Sequence, residues 1–311
     1  MIFFELIVKG FFIGIAFIIP GLSGGTLAIY LGVYEKLLHS IGNIFKEFKK
    51  SVKFLLPLFI GIALSVVLLA KLFSILIEWN SFIVLFFFIG LIIGGIKPIY
   101  DKVNDKPVNI SSIISFVISF AIIILLIIGK TGSTTAIDYI SIDFLNILLI
   151  FAIGMAASMT MIVPGVSGSA LLLVLGYYTA IVSNVVGNLF DISSLLYNIE
   201  VLLPFGLGAL VGVIIFSRVI EICFKKFYKQ TYYAILGFII ASIIAIFFEI
   251  RDPSTAVEFE SQIPIYQNLF TYIGDNIFSV LGGIVAAVAG FFTTKLISKT
   301  EFKKQEGEKN E

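Results

Sequence analysis

Residues 20–34 read PGLSGGTLAIYLGVY and residues 164–178 read PGVSGSALLLVLGYY. At an offset of 144 the two stretches match at Pro20/Pro164, Gly21/Gly165, Ser23/Ser167, Gly24/Gly168, Leu27/Leu171, Leu31/Leu175, Gly32/Gly176 and Tyr34/Tyr178. Gly10/Gly154 fits the same offset, and at 147 the register continues through Pro57/Pro204, Gly61/Gly208, Lys71/Arg218 and Gly90/Gly237. A repeat that preserves glycines, prolines and one basic position in order reads as an internal duplication with a three-residue slip.

Working outward from the motifs, apolar runs dominate. The 311-residue chain is 59% hydrophobic and 13% charged, with mean hydropathy +1.09. A soluble domain carries about 25% charged residues, so this chain cannot cover a water-facing surface and is read as membrane-embedded. The apolar segments are 2–19, 22–45, 54–77, 82–97 and 110–129 in the first half, then 145–163, 166–189, 201–222, 231–249 and 276–297 in the second. Several approach the ~20 residues a helix needs to cross a bilayer. The expected class is an all-α integral membrane protein of two repeats, each a helical hairpin broken at Pro-Gly-x-Ser-Gly plus three transmembrane helices. The first repeat covers 1–130, with its hairpin at 2–45. The second covers 145–297, with its hairpin at 145–189, and a basic tail occupies 298–311. The N-terminal Met1-Ile2-Phe3-Phe4-Glu5 has no basic leader and reads as mature protein. One cysteine, Cys223, excludes an internal disulfide, and no Cys/His cluster suggests a metal. The expectation is no cofactor and no nucleic-acid partner.

Charge placement sets the topology. Lys46, Lys49, Lys50 and Lys53; Lys97, Lys102 and Lys106; Arg218, Lys225, Lys226 and Lys229; and Lys295, Lys299, Lys303, Lys304 and Lys309 form four basic clusters, and the intervening loops are basic-poor. Basic loops stay cytoplasmic. All four fall on one side only if segments one and two form a hairpin returning to its starting face and segments six and seven do the same. Six segments then cross once, three per half, and an odd number inverts the second half relative to the first, as in many secondary transporters. Both termini are then cytoplasmic. Whether each hairpin dips partway or crosses twice is left open by this parity.

Proline removes a backbone donor and disfavours helix at the residue before it, so Ile19 and Val163 should each end a helix. Ser23 and Ser167 are good N-caps for the next one. Irregular backbone deep in a bilayer is tolerated only inside protein or against a wet cavity, and exposed N–H groups at a helix start suit an anion. The candidate phosphate-headgroup residues are Ser23, Gly24, Gly25, Thr26, Ser167, Gly168 and Ser169, with Pro20, Gly21, Pro164 and Gly165 making the breaks. Lys71 and Arg218, equivalent in the repeat, either attract a headgroup at the two entrances or snorkel to the interface. The bland reading of the motifs is a pair of kinks whose small residues allow close helix packing. Glu5 and Lys9 are spaced as a structural ion pair. Glu5 and Glu35 are the only acids in the hairpins and thus the candidates for coupling. Lone His39 reads as a solvated or capping residue, and Tyr34 as packing.

The two motifs, with Gly-Val-Tyr-Glu-Lys after the first and Gly-Tyr-Tyr after the second, resemble the DUF368 family, which includes polyprenyl-phosphate transporters of the PopT type. The resemblance covers residues 8–297. It implies a flippase of the bacterial plasma (inner) membrane that recycles undecaprenyl phosphate, with the polyprenyl phosphate lipid and the surrounding membrane lipids as partners. It also implies roles for Pro20, Gly21, Ser23, Gly24, Gly25, Thr26, Glu35, Pro164, Gly165, Ser167, Gly168 and Ser169. Physically, a bare phosphate monoester cannot cross hydrocarbon, whereas a polar site open sideways to lipid lets the head pass while the tail stays in the bilayer. Two other readings compete. A membrane polyprenyl-pyrophosphate phosphatase has a Pro-Gly-x-Ser-Arg-Ser motif, but its arginine position is Gly24 or Gly168 here and no paired glutamates precede either motif, so phosphoryl transfer lacks a clamp and a base. A transporter or channel for a small soluble anion would use the same helix starts, and a lateral opening to lipid is what separates it from the lipid reading. A structural scaffold would leave the duplicated breaks unexplained.

Overall fold

Backbone polar groups inside a bilayer must be satisfied within the chain, which for this apolar pattern means helices. The computed structural model describes residues 2–18, 24–104, 107–132, 143–164, 171–172, 175, 177, 181, 195–256 and 262–309, with side chains at most of them, and is helical throughout apart from short turns and one isolated bridge between Arg251 and Pro264. In chain order the helices are α1 (Ile2–Ile18), α2 (Gly24–Tyr30), α3 (Tyr34–Gly42), α4 (Phe48–Tyr100), α5 (Ile110–Gly132), α6 (Phe144–Ile162), α7 (Leu195–Lys226), α8 (Tyr228–Glu249), α9 (Leu269–Asp275) and α10 (Ile277–Lys309).

Six stretches among the described residues are long and apolar enough to span a membrane: Phe48–Leu69, Ile75–Tyr100, Ile110–Gly129, Leu195–Lys226, Tyr228–Glu249 and Ile277–Leu296. They coincide with the six segments read as single crossings. Their outward faces are apolar, with Val67, Leu125 and Val285 among the most exposed side chains. In water such faces would be a liability; in a bilayer they face solvent of their own kind.

Two details depart from the segment boundaries. The run 22–45 is not one helix but two, α2 and α3, parted at Gly32, whose φ of 67° lies in the left-handed region that glycine enters without a Cβ clash. The segments 54–77 and 82–97 belong to one hydrogen-bonded run, α4, of 53 residues. Asn80 interrupts it with φ −164° and ψ 91°, and its side-chain oxygen accepts from the Ile83 amide as an N-cap for the second limb. A straight helix would hold Phe54 and Lys102 about 70 Å apart. Instead both ends come back to residues 35–36: Lys36 lies 4.9 Å above the Phe54 ring, and the Tyr232 ring that sits under Lys102 carries the hydroxyl bonded to Glu35. The chain reverses at Asn80.

Glycines draw the helices together. A Cβ on Gly10 would stand 2.0 Å from the Leu58 carbonyl, and one on Gly61 2.0 Å from that of Ile7. In the second half a Cβ on Gly154 would stand 2.1 Å from the Phe205 carbonyl and one on Gly208 2.0 Å from that of Phe151. These are the same four positions carried by the offsets of 144 and 147. The small pair Gly14 and Ser65 recurs as Ser158 and Gly212 with the glycine exchanged between helices. Backbone contact this close is how helices gain dispersion where lipid removes the hydrophobic drive. Contacts advance in step along each pair (Gly10 on Leu58, then Gly14 on Ile62), so α1 runs parallel to the first limb of α4. The return of the first hairpin to its starting face follows. The second spanning stretch of each half packs on the last helix of the other: Gly90 and Gly94 on Ala287 and Phe291 of α10, Gly237 on Phe116 and Ser119 of α5.

The basic clusters of 46–53, 97–106 and 218–229 gather at one end. His39 at the end of α3 meets both Glu47 and Glu221, Lys102 lies over Tyr232, and Lys229 donates to the Pro107 carbonyl. At the opposite end Ser81 donates to the Arg251 carbonyl, and Asn80 to Ser279.

Candidate functional site

Both motif limbs are positioned by the breaks the prolines impose. α6 starts on an Asp143 N-cap that accepts from the Asn146 amide, and stops at Ile162 because Val163, before Pro164, takes extended angles (φ −72°, ψ 120°). Val163 thus ends its helix as read from the sequence. In the first half, α2 begins at Gly24, immediately after Ser23. Ile19, Pro20, Gly21, Ser23, Gly165, Ser167, Gly168, Ser169 and Tyr178, together with the side chain of Lys71, lie outside the described residues.

The described parts of the two motifs touch. Gly24, Gly25 and Thr26 are buried, and a Cβ on Gly25 would stand 2.8 Å from the Ile162 carbonyl and 3.4 Å from Pro164 Cα. Tyr34, two residues past Gly32, donates its hydroxyl to the same Ile162 carbonyl at 2.9 Å across a separation of 128 residues. Beside this junction the Thr26 Oγ1 is buried, with no hydrogen-bond partner among the described residues. An unspent hydroxyl in a buried position costs roughly 1–3 kcal/mol, so its neighbourhood suits a ligand that supplies an acceptor.

The remaining candidates sit away from the junction. Arg218 donates through Nε to the Gly42 carbonyl at the end of α3, and its Cγ packs where a Gly42 side chain would be. Glu35 accepts from the Tyr232 hydroxyl at 2.7 Å. Glu5 pairs with the buried Lys9 at 3.2 Å, the spacing-predicted contact. His39 is more than a solvated end: its Nδ1 lies 2.7 Å from Glu221, which also accepts from Asn43 and Lys225. The Tyr34 and His39 contacts were not legible, because their partners lie 128 and 182 residues away and no local pattern marks them.

Next to α2 an apolar groove of about 490 Å³ opens between α1, α2, both limbs of α4 beside the Asn80 break, and α10. Phe12, Leu27, Tyr30, Phe87 and Ala286 line it together with Trp79, which is 63% exposed.

Residues 13–259 match the family described as VCA0040-like, undecaprenyl phosphate translocase-like. The chain belongs to that family. Its relatives include the polyprenyl-phosphate transporter of Staphylococcus aureus, 34% identical over 78% of this chain and 85% of the relative, and that of Vibrio cholerae, 28% identical over 76% of this chain and 74% of the relative. No solved structure matches. Membership of a translocase family agrees with the expectation of a transporter and not an enzyme.

Proposed function

We propose that the protein is a flippase that moves polyprenyl phosphate, undecaprenyl phosphate in particular, between leaflets of the bacterial plasma membrane and so recycles the carrier for cell-wall polymer synthesis. The observation that carries this reading is the meeting of the two Pro-Gly motifs, with Gly25 against Ile162 and Pro164 beside the unpartnered Thr26 hydroxyl. Two inverted repeats, 1–130 and 145–297, with 298–311 as a cytoplasmic tail, account for the equivalent glycine contacts in the two halves. Each hairpin enters from a different face, and the headgroup is passed between them at the shared junction. Ser23, Gly24, Gly25, Thr26, Ser167, Gly168 and Ser169 form the phosphate site. Because α2 has only seven residues, hydroxyls and backbone amides carry recognition more than any helix dipole. Lys71 attracts the headgroup at one entrance; Arg218 serves the other while anchored to Gly42. Glu35 and Glu5 are the acids available for coupling. The lateral groove favours a lipid over a small soluble anion, since an apolar wall open to the membrane gives a soluble ion nothing to bind.

The test is leaflet exchange of a labelled undecaprenyl phosphate in liposomes carrying the purified protein. Exchange should be fast, and slowed by about tenfold or more in Ser23→Ala/Ser167→Ala, as expected when charge-assisted hydrogen bonds are removed. Wild-type exchange in that double variant would remove the serines from the mechanism, and no exchange by the wild type would remove the transport reading.

A further inference from the structure

We propose that the groove beside α2 is an isoprenoid subsite, holding the first few isoprene units of the lipid while the rest of its chain lies in the bilayer. The inference rests on the polyprenyl-phosphate reading above and adds to it the part of the substrate that is recognised besides the phosphate.

The chemistry of the walls calls for an apolar occupant. Three hydroxyls line the groove, and each is already donated to a backbone carbonyl: Tyr30 to Ile92 at 3.0 Å, Thr293 to Ala289 at 2.8 Å and Thr294 to Leu91 at 2.8 Å. No lining hydroxyl has a proton left to donate, and the other walls are hydrocarbon or aromatic, with the Trp79 indole N–H as a further donor. Phe12 and Trp79 are 41% and 63% exposed, so the groove opens sideways to the membrane and is not a sealed core defect.

Its position relative to the phosphate site selects among apolar occupants. Leu27, Tyr30 and Leu31 belong to or directly follow α2, and Leu27 lies about 5 Å along the helix axis from Gly24. A molecule seated there lies against Leu27, the residue that follows Thr26 in the chain. In a polyprenyl monophosphate the phosphate is joined directly to the first isoprene unit, which matches a polar junction adjoining an apolar groove. A diacyl phospholipid interposes a glycerol and carries two chains, whose ester groups would meet walls that offer no side-chain donor but the Trp79 indole N–H. At about 490 Å³ the space sits toward the low end of the ~300–1,000 Å³ usual for a small-ligand site, enough for the head-proximal part of one chain. Discrimination by chain length should therefore vanish beyond the first units, while discrimination by chain type should persist.

The experiment uses the full chain in phosphatidylcholine liposomes with a diazirine-bearing farnesyl phosphate as probe and mass-spectrometric mapping of the adducts. Adducts are expected on groove residues such as Leu27, Phe87 and Ala286. Undecaprenyl phosphate and farnesyl phosphate should compete with potencies within about threefold of one another, because they share the part that is held. Inorganic phosphate and dioleoyl phosphatidic acid should compete at least about tenfold less well, lacking the chain or the single-chain geometry. Ala286→Phe, which fills the groove, should lower adduct yield by about tenfold; Thr293→Phe on the exposed rim is the second filling variant should the first not fold. Equal competition by phosphatidic acid, adducts scattered over lipid-facing surfaces, or unchanged yield in a folded filling variant would overturn the subsite. Leaflet exchange in the same vesicles separates the two readings. Wild-type exchange that the filled groove leaves untouched sinks the subsite alone. Groove adducts without exchange by the wild type sink the transport reading and leave an isoprenoid-phosphate binding site.

Discussion

Replacing Gly25 by alanine tests the central junction with a single methyl group. That methyl would stand 2.8 Å from the Ile162 carbonyl oxygen and 3.4 Å from Pro164 Cα. An ordinary carbon–oxygen contact needs about 3.4 Å, so the two motifs must part by roughly 0.6 Å. Both neighbours are backbone, one of them in a proline, and no rotamer change relieves the clash. Overpacking of this kind costs about 1–3 kcal/mol. If the cost falls on the transport-competent arrangement, leaflet exchange should drop by about five- to 150-fold, with a lowered Tm where the folded state shares the strain. Gly206→Ala is the control. Nothing lies within 4 Å of its Cβ, and the exchange of glycine for alanine inside a helix gains up to about 1 kcal/mol, so Tm should hold or rise and exchange should stay unchanged. If Gly25→Ala matched the wild type in both exchange and Tm, the two Pro-Gly motifs would not meet as described and the shared headgroup site would fail.

Tyr34→Phe removes the bond to the Ile162 carbonyl and should cost about 0.5–1.5 kcal/mol by thermal or denaturant unfolding. Combined with Gly25→Ala its effect should be less than additive, since both act on one junction; strict additivity would argue against that coupling. Glu221→Gln weakens the tie between α3 and α7 through His39, Asn43 and Lys225. A Tm loss that shrinks in high salt relative to the wild type is expected, because the pairs are partly exposed and screened; a salt-independent loss would point to packing instead.

Much of this protein was legible as a pattern. Six membrane-spanning stretches followed from apolar run lengths, because a bilayer permits few backbone solutions. The stop at Val163 and the start at Gly24 followed from proline and serine chemistry, which is local. The split at Gly32 was less legible: a glycine inside an apolar run marks either close packing or a left-handed turn, and only the turn is true here. The candidate headgroup residues were named by motif, but Thr26 is singled out by its buried, unpartnered hydroxyl, a property that depends on what surrounds it.

The order of the apolar segments, the repeated motif and the spacing of the basic clusters are read from the amino-acid sequence alone, since each depends on composition and spacing along the chain. That Gly25 rests on Pro164, that Tyr34 reaches Ile162, that Arg218 is held by Gly42 and that a hydrocarbon groove flanks α2 were decided only by the tertiary structure. These contacts join positions more than a hundred residues apart, or surfaces of four helices at once. Side-chain packing and backbone approach select them, and no local preference of the chain encodes which distant surface will arrive.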